Sequence, residues 1–336
     1  MAKRMVLGAV FGVVVLVGAT LASAADMAIC YNCPPQWADW ASQLKAMKDT
    51  LGLSVPPDNK NSGQALAALI AEKAKPVADV VYLGGIVADA AKDAGVLAPY
   101  TPKNWEKIPA DLKDADGYWF TIHSGTLGLF VNTAALGGKP TPQSWQDLLK
   151  PDYKGMVGYL DPTSAAVGQQ GVMAINLALG GTYENLEPGL RFFKQLLKND
   201  PIVPKQTSYA RVISGEIPIL LDYDFNAYRG QFTDKAPVVF VIPKEGTLTF
   251  PYVMGLVNGG PNPASGRKVL DFVLSDQSQA MWGNAFLRPV FSDKLSAEAK
   301  AKFLPDADYT RAKAVNLKRL AKAQQQIIDR YKAEAN

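Results

Sequence analysis

The sequence of 336 residues predicts an α/β fold with two lobes, because short apolar runs alternate along it with helical patterns. Its composition, 48% apolar and 20% charged, is that of a globular protein, and its length suggests two domains. No low-complexity linker divides the chain. We therefore expect lobes built from discontinuous segments, each a mostly parallel sheet flanked by helices, joined by crossing hinge strands.

The N-terminus has the pattern of a secretory signal peptide. Lys3 and Arg4 precede an apolar stretch at 5–21, and Ala22-Ser23-Ala24 has the small-x-small pattern of a signal peptidase site. We expect residues 1–24 to be a cleaved signal peptide and the mature chain to be exported to the periplasm. The alternative is an uncleaved membrane anchor, since the stretch approaches the roughly 17–25 residues that span a bilayer.

In the first third of the chain, apolar runs predict strands, and apolar stripes at helical spacing predict helices. Ser62 is the expected N-cap of a helix with the stripe Leu66, Leu69 and Ile70. Another helix is expected to carry Trp37 and Trp40 in its apolar stripe. The predicted strands are 27–31, 78–83 and 118–132, and the predicted helices are 36–51, 62–75 and 87–94.

The rest of the chain continues the alternation. The predicted strands are 156–160, 217–222, 238–242 and 252–257, and the predicted helices are 144–149, 164–179, 190–198, 209–214, 265–274, 278–286 and 315–333. The runs 118–132 and 238–257 are the expected crossing strands. The predicted lobes are 25–123 with 248–300 and, second, 124–247, with 301–336 as a C-terminal helical segment packing on the lobes.

Charge and residue counts exclude several function classes. Thirty-five basic and 31 acidic residues give a net charge of +4, and no basic run exceeds a dipeptide, so nucleic-acid binding is not expected. A single His and two Cys exclude most His-based metal and triad chemistry. The sequence has no P-loop, no strand-anchored dinucleotide fingerprint and no G-x-S-x-G elbow. We expect no catalytic residues, no cofactor and no metal site.

Cys30 and Cys33 form a C-x-x-C motif just inside the expected mature start. Because export implies an oxidising compartment, a local structural disulfide is the favoured interpretation. Free thiols, one of them acting on a ligand, are an alternative. A thioredoxin-like redox pair is another, since the motif lies between a predicted strand and a predicted helix. Pro34-Pro35 after the second cysteine argues against the redox pair.

Small hydroxyl residues and glycines precede several predicted helices. Unpaired N–H groups and the partial positive charge at a helix N-terminus favour anions. In open α/β sheets, ligands bind beyond the carboxyl ends of the strands. Each position alone is more often a simple N-cap, but several together predict a site. These candidate ligand-binding residues are Asn32, Ser62, Gly63, Gly85, Ser124, Thr126, Thr163, Ser164, Thr207 and Ser208.

An apolar strand runs directly into acids and tyrosines at 220–228. Acids at the end of a buried strand lose hydration free energy unless they are paired or solvated in a cleft. Asp222 or Asp224 is therefore a candidate to receive an amine or sugar hydroxyls from a ligand, with Tyr223 and Tyr228 beside them. The alternative is that Asp224 caps the next helix while the tyrosines pack.

The single histidine, His123, adjoins Ser124-Gly125 in an expected crossing strand. A lone histidine is more often a satisfied structural donor than a ligand contact. Its place at a break in that strand makes a ligand contact the second hypothesis, and His123 is included among the candidate ligand-binding residues.

Five features together carry a resemblance to a known family: the signal peptide, the discontinuous α/β lobes, Ser62-Gly63 before a helix, the run Ala78-Asp79-Val80-Val81-Tyr82, and Ser214-Gly215-Glu216-Ile217-Pro218 before a strand. The chain resembles the family 1 extracellular solute-binding proteins of ABC importers, over essentially the whole mature chain. This implies a type II periplasmic binding fold that clasps a small-molecule ligand like a Venus flytrap. It also implies a monomer that delivers the ligand to an ABC permease in the inner membrane.

The family's ferric-iron, polyamine, thiamine, phosphonate and hexose-phosphate binders differ in their ligand residues. Ferric binders use an adjacent tyrosine pair where this chain has Tyr223 and Asp224, which disfavours iron, although Tyr228 could substitute. Polyamine binders use acids and aromatic rings, for which Asp222, Asp224 and Tyr31 could serve. The hydroxyl and glycine helix starts favour a phosphonate or phosphorylated compound whose amine or hydroxyl end lies near Asp222 or Asp224.

Overall fold

The computed structural model describes residues 26–35, 37–204 and 208–335; the expected signal peptide and Thr207 lie outside these ranges. The strands are β1 (Cys30–Tyr31), β2 (Val80–Gly84), β3 (Leu97–Ala98), β4 (Phe120–Asn132), β5 (Val157–Gly158), β6 (Ile219–Tyr223), β7 (Val238–Val241), β8 (Thr247–Val257), β9 (Arg288–Pro289) and β10 (Ala312–Ala314).

The helices that flank the strands agree with most of the predicted ones to within a few residues. They are α1 (Trp40–Leu51), α2 (Ser62–Ala71), α3 (Ala88–Asp93), α4 (Ala166–Ala178), α5 (Glu187–Leu197), α6 (Tyr209–Ile213), α7 (Asp224–Tyr228), α8 (Pro263–Val273), α9 (Asp276–Trp282), α10 (Ala297–Lys300), α11 (Asp306–Tyr309) and α12 (Leu317–Ala335). Within the described ranges, no helix combines the length and apolarity that crossing a membrane requires.

Strand β4 joins two sheets. Its first half pairs with β8, from Phe120↔Met254 to Thr126↔Thr249. Its second half pairs with β6 and β7, beginning at Leu127↔Tyr223. Thirteen residues of extended chain span on the order of 40 Å, and all but Ser124 are buried. The strand therefore crosses between two packed regions of the molecule, as expected for the run 118–132.

The two sheets that share β4 contain both parallel and antiparallel strand pairs, which corrects the prediction of mostly parallel sheets. The order is β1-β2-β8-β4-β6-β5, with β3 and β10 on β8 and with β7 and β9 on β4. The pairs β1–β2, β5–β6 and β8–β10 are parallel. The remaining strand pairs are antiparallel. The reason is that β4 and β8 enter the middle of the sheets as returning strands, opposite in direction to the strands they pair with, apart from β10, which is parallel to β8.

Helix α2 begins with a capping box in which Asn61, rather than the predicted Ser62, is the N-cap. The Asn61 side chain accepts from Gln64 N at 2.9 Å, and the Gln64 side chain accepts from Asn61 N at 3.0 Å. These two bonds satisfy backbone donors that the first turn leaves without intrahelical acceptors. Ser62 is thus the first helical residue, and its hydroxyl is not used as a cap.

The C-terminal segment connects both halves of the molecule. Strand β10 pairs with β8, and Leu317 at the start of α12 packs against Gly85. Further along α12, the Tyr331 hydroxyl lies 2.6 Å from the Tyr159 hydroxyl, and Arg330 pairs with Glu187 on α5. The segment therefore contacts residues on either side of the β4 crossing.

Two glycines of α4 give a matched test of its packing. A Cβ at Gly168 would lie 2.2 Å from the Leu160 carbonyl oxygen, whereas a Cβ at Gly171 would meet its nearest neighbour at 3.9 Å. We expect Gly168→Ala to lower the free energy of unfolding by about 1–3 kcal/mol, because backbone must move. We expect Gly171→Ala to raise it by about 0.5–1 kcal/mol, because alanine favours the helix. Urea unfolding measures both, and equal effects would contradict this packing.

Candidate functional site

Aromatic side chains meet where the ends of β2, the middle of β4 and β8 come together with the loop before α1. The Trp37 ring centroid lies 5.0 Å from that of Tyr252, 5.8 Å from that of Tyr82 and 5.7 Å from that of Phe225. Tyr82 and Tyr252 belong to the sheet built on the first half of β4, whereas Phe225 follows β6 of the other sheet. Trp37 therefore lies between the two halves of the molecule.

Trp37 is not in a helix, which corrects the prediction that it belongs to the apolar stripe of the first helix. Helix α1 begins at Trp40, and Ala38 and Asp39 before it both have positive φ, at 56° and 52°. Left-handed backbone cannot continue as a right-handed helix. The loop that includes Cys33, Pro34 and Pro35 therefore presents the half-buried Trp37 to the junction.

Two cavities flank Trp37. The first, of about 370 Å³, is lined by Asn32, Lys60, Ser62, Tyr82 and Tyr252 among others, and we call it the α2 cavity. The second, of about 340 Å³, is lined by Phe225, Asn226, Arg229 and residues of 284–287, and we call it the α7 cavity. A cavity of about 450 Å³ elsewhere, at 89–92, 110–119 and 314–318, contains no predicted site residue.

The α2 cavity contains unused hydrogen-bond donors. The Ser62 hydroxyl oxygen accepts from Gly84 N at 2.9 Å and from Asn32 Nδ2 at 3.3 Å, so its proton remains available. The N–H groups of Ser62 and Gly63 are in the first turn of α2, where no intrahelical acceptor exists. Ser62 lines the cavity, whereas Gly63 is not among the lining residues. Lys60 lies at the same cavity and pairs with Asp58 at 3.2 Å. This end of the site is suited to an anion.

Asn32 reaches the α2 cavity through a special backbone conformation. Its φ of 64° is left-handed, which asparagine tolerates better than most residues. Its Nδ2 donates to Tyr82 O at 2.7 Å, and its backbone N–H donates to Asp58 at 3.0 Å. The structure joins Cys30 and Cys33, on either side of it, in a disulfide whose cysteines are fully buried. The four-residue loop is thus closed covalently beside the cavity.

His123 lies beneath the aromatic cluster, with its Nε2 at 2.8 Å from the Tyr82 hydroxyl. It is completely buried, and burial lowers its pKa to about 3. Burial also raises the pKa of Tyr82 well above its usual value. Both side chains are therefore neutral at physiological pH, and His123 contacts the cavity through Tyr82 rather than directly.

Asp222 is a buried carboxylate with no cationic partner in the described part of the chain. One of its oxygens accepts from Tyr223 N at 2.8 Å, and the other accepts from Asn226 Nδ2 at 2.9 Å. Burial raises its pKa from 3.8 to about 6. Since Asn226 lines the α7 cavity, Asp222 lies directly behind that cavity's wall. A carboxylate so placed would gain from a cationic or hydroxylic ligand group.

Asp224 has a different environment, the one expected of a structural residue. Its oxygens accept from Thr126 N at 3.0 Å, from Phe225 N at 2.9 Å and from the Tyr309 hydroxyl at 3.0 Å. The Tyr228 hydroxyl lies 2.8 Å from the Tyr309 hydroxyl. Asp224 and Tyr228 therefore join β4 to the C-terminal segment. The alternative expectation that Asp224 caps the next helix is wrong, because Tyr223 is the N-cap of α7 and Asp224 is its first helical residue.

Most other candidates are engaged away from the cavities. Thr126 Oγ1 lies 3.1 Å from Thr249 Oγ1, and a Cβ at Gly85 would meet Leu317 and Pro251 at 2.9 Å. Thr163 and Ser164 form a turn on Asp161, and α4 begins after them, at Ala166. Ser124 is half-buried in β4, and Ser208 is buried at the start of α6. None of these lines the α2 or α7 cavity.

Sequence reasoning missed Trp37, Lys60, Tyr82, Tyr252 and Phe225. The relation between the two tyrosines follows from how their strands pair. Tyr82 shares its strand face with Gly84, and Gly84 pairs with Tyr252, so the rings stack with centroids 5.7 Å apart. Only the register reveals that relation. Trp37 had no comparable signal, because its spacing from Trp40 also fits one helix face.

The chain is similar to known proteins in sequence. A family model described as bacterial extracellular solute-binding protein matches residues 75–314. A protein of Salmonella typhimurium, named as a candidate 2-aminoethylphosphonate-binding periplasmic protein, is 27% identical over 262 residues. The matched region covers 75% of this chain and 74% of that protein.

Solved structures share the fold. The periplasmic binding protein AfuA from Actinobacillus pleuropneumoniae, with fructose-6-phosphate bound, has a TM-score of 0.73 at 22% identity and covers 93% of this chain and 99% of its own. Iron-bound HitA from Pseudomonas aeruginosa has a TM-score of 0.76 at 19% identity, with 92% and 99% covered. The type II periplasmic binding fold expected from the sequence is thereby confirmed.

The buried carboxyl of Asp222 predicts a pH dependence of stability. A folded-state pKa of about 6 exceeds the usual 3.8, so the folded protein binds more protons than the unfolded chain across that window. The free energy of unfolding should therefore fall as pH rises from about 4 to 6. Asp224, whose pKa is also raised to about 6 by burial, contributes in the same direction.

We expect Asp222→Asn to remove about half of this dependence, because the amide does not titrate. Urea unfolding at several pH values measures it, with the exposed Asp111→Asn as the control for loss of one carboxyl. An Asp222→Asn variant whose stability changes with pH between 4 and 6 just as the wild type's does would show that burial does not raise the pKa of Asp222.

Proposed function

This chain belongs to the bacterial extracellular solute-binding proteins, and from that premise we propose that it is the periplasmic binding component of an ABC importer for a phosphonate or phosphorylated organic compound with an amine or hydroxyl end. The observation that carries the proposal is the difference between the hydrogen-bond donors and acceptors on the two sides of Trp37; among the charged residues that line the α7 cavity, Asp39 and Arg229 have opposite charges. Unused N–H and O–H donors line one side of Trp37, and an unpaired buried carboxylate lies behind the other.

The α2 cavity is the proposed site of the oxyanion. The Ser62 and Gly63 N–H groups, the Ser62 hydroxyl and the partial positive charge of the helix start all favour a phosphonate or phosphate. Lys60 adds a full charge, of which Asp58 offsets a part. Hydrogen bonds to an ionised group contribute roughly 1.5–3 kcal/mol each, so two or three of them suffice for selective binding.

The α7 cavity is the proposed site of the amine or hydroxyl end. Asp222 supplies the carboxylate, and Asn226 at the cavity wall already donates to it. An ammonium group would replace or supplement that donor with a charge-assisted bond. The likeness to a candidate 2-aminoethylphosphonate-binding protein supports this assignment of the two ends.

Ligand capture is proposed to depend on contacts from both halves of the molecule. The α2 cavity is built from elements around β2 and β8, and the α7 cavity includes residues that follow β6. A ligand that touches both stabilises the closed arrangement relative to the open one, and so shifts the equilibrium toward closure. The closed form would then dock on the membrane permease. The protein is proposed to act as a monomer, after export by its N-terminal signal.

Ferric iron and polyamines are the alternatives from the same family, and the residues support them less. Iron binding by tyrosine requires phenolates, but burial raises the pKa of Tyr223 well above its usual value, and its hydroxyl donates to Gln170. Within the described ranges, no group of three His, Cys, Asp or Glu could hold a metal. Polyamines need several free carboxylates, and Asp224 already accepts three hydrogen bonds.

A ligand panel tests the proposed class. We expect 2-aminoethylphosphonate or fructose 6-phosphate to raise the thermal unfolding midpoint, because a ligand that binds only the folded state stabilises it by mass action. Ferric citrate and spermidine serve as the comparison ligands. Stabilisation by either of those, with none by any phosphonate or phosphate ester, would reject the assignment.

Two variants separate the ends of the ligand. We expect Ser62→Ala to weaken the binding of 2-aminoethylphosphonate and of ethylphosphonate by a similar factor, roughly tenfold or more, since both lose a bond to the oxyanion. We expect Asp222→Asn to weaken only the aminated ligand. Isothermal titration calorimetry measures both affinities, with the exposed Ser214→Ala as the control. An equal effect of Asp222→Asn on both ligands would contradict the proposed orientation.

A further inference from the structure

The distance between His123 and Tyr82 does not determine which of the two donates the hydrogen bond. Nε2 of His123 and the Tyr82 hydroxyl lie 2.8 Å apart, and either atom can supply the proton. Neutral imidazole carries one proton, on Nδ1 or on Nε2. The position of this proton decides whether the Tyr82 hydroxyl donates its hydrogen bond to His123 or to another acceptor.

The other ring nitrogen of His123 identifies the tautomer. Nδ1 is buried and has no hydrogen-bond partner in the described part of the chain. The indole nitrogen of Trp282 is likewise buried without a partner, and the two rings lie 4.9 Å apart. An indole nitrogen can only donate, so Trp282 offers no acceptor for an N–H on Nδ1.

The two tautomers leave different groups unsatisfied. With the proton on Nδ1, a buried N–H donor has no acceptor, which is rare in native proteins. With the proton on Nε2, Nδ1 keeps only a bare lone pair, and Nε2–H donates to the Tyr82 oxygen. The Tyr82 proton is then the unsatisfied donor. Tyr82 is only 1% exposed in this structure, but it is among the residues that line the α2 cavity, where a ligand or water can accept the proton.

We propose that His123 holds its proton on Nε2, and thereby fixes the Tyr82 hydroxyl as a hydrogen-bond donor to an oxyanion in the α2 cavity. His123 is a positioning residue, because it touches the ligand only through Tyr82. Tyr82 is the specificity-determining contact: with one acceptor position of its oxygen occupied by the His123 N–H and its own proton available, it favours an anionic oxygen over an ammonium group. The assignment of an oxyanion to Tyr82 rests on the proposed function, whereas the assignment of the His123 tautomer does not.

The chain's single histidine makes the tautomer directly measurable. In ligand-free protein labelled with ¹⁵N-histidine, we expect a two-dimensional long-range ¹H–¹⁵N spectrum to show a pyrrole-type Nε2 and a pyridine-type Nδ1. The pattern should not change between pH 6 and 8, since burial lowers the pKa of His123 to about 3. A pyrrole-type Nδ1 would overturn the proposal, whatever the ligand proves to be.

The conservative variant Tyr82→Phe tests the ligand contact. It removes one oxygen atom from a ring that otherwise keeps its packing against Trp37 and Tyr252. We expect it to weaken the binding of 2-aminoethylphosphonate and of inorganic phosphate roughly ten- to a hundredfold, the usual effect of losing a bond to an ionised group. His123→Gln, which keeps an N–H donor, should weaken binding less than His123→Leu, and circular dichroism verifies the fold of each variant.

The outcomes are separable. The expected tautomer with a loss of at least tenfold in Tyr82→Phe supports the proposal. If the tautomer is as expected but Tyr82→Phe leaves the affinity unchanged, the proposal that Tyr82 binds the oxyanion is wrong. If the wild-type protein bound neither phosphonate nor phosphate, the proposed ligand class and the reading of an oxyanion would both be wrong, while the histidine spectrum would still decide the hydrogen-bond direction.

Discussion

The continuity of β4 through two sheets is the constraint on which the site depends. One extended segment pairs with β8 up to Thr126 and with β6 from Leu127 onward. Asp224 fixes the point of transfer, because it accepts from Thr126 N while its partner Tyr309 belongs to the C-terminal segment. Residues that are distant in sequence, such as Trp37 and Phe225, are thereby brought to one junction.

Desolvation gives the junction its chemical character. His123 and Tyr82 are buried and Tyr252 is half-buried, and desolvation opposes the ionisation of all three, so they act as neutral dipoles rather than as charges. Asp222 is buried without a cation, and its raised pKa records the unfavourable free energy of that burial. A ligand group that pairs with such a carboxylate offsets the unfavourable free energy of its burial. That gain would contribute to the affinity for the ligand.

Sequence reasoning recovered the elements better than the contacts. The predicted runs 118–132 and 62–75 contain β4 and α2, because long apolar strands and amphipathic helices have a clear periodicity. The prediction of Ser62 as the N-cap of α2 was wrong by one residue, since Asn61 and Gln64 form the capping box. That shift matters, because the Ser62 hydroxyl is not used as the helix cap and its proton remains available at the α2 cavity.

For the candidate site, the sequence marked Asn32 and Ser62, which line the α2 cavity, but it could not rank the acids. Asp222 and Asp224 are two residues apart at the end of one strand. Which of them keeps a free acceptor depends on Tyr309 and on Asn226, and neither contact leaves a local signature. The same holds for Tyr82 and Tyr252, whose stacking follows from the register of β2 against β8.

By itself, the sequence determined the α/β class, the crossing strands and the helix start at 61–63, because periodicity and capping are properties of neighbouring residues. Only the tertiary structure decided which polar groups in the described residues keep unused capacity: the Ser62 proton, Nδ1 of His123, and the Asp222 carboxylate, which accepts two hydrogen bonds but has no cationic partner. The physical reason is that satisfaction of a buried polar group depends on partners from remote segments, and those partners meet only when the chain has folded.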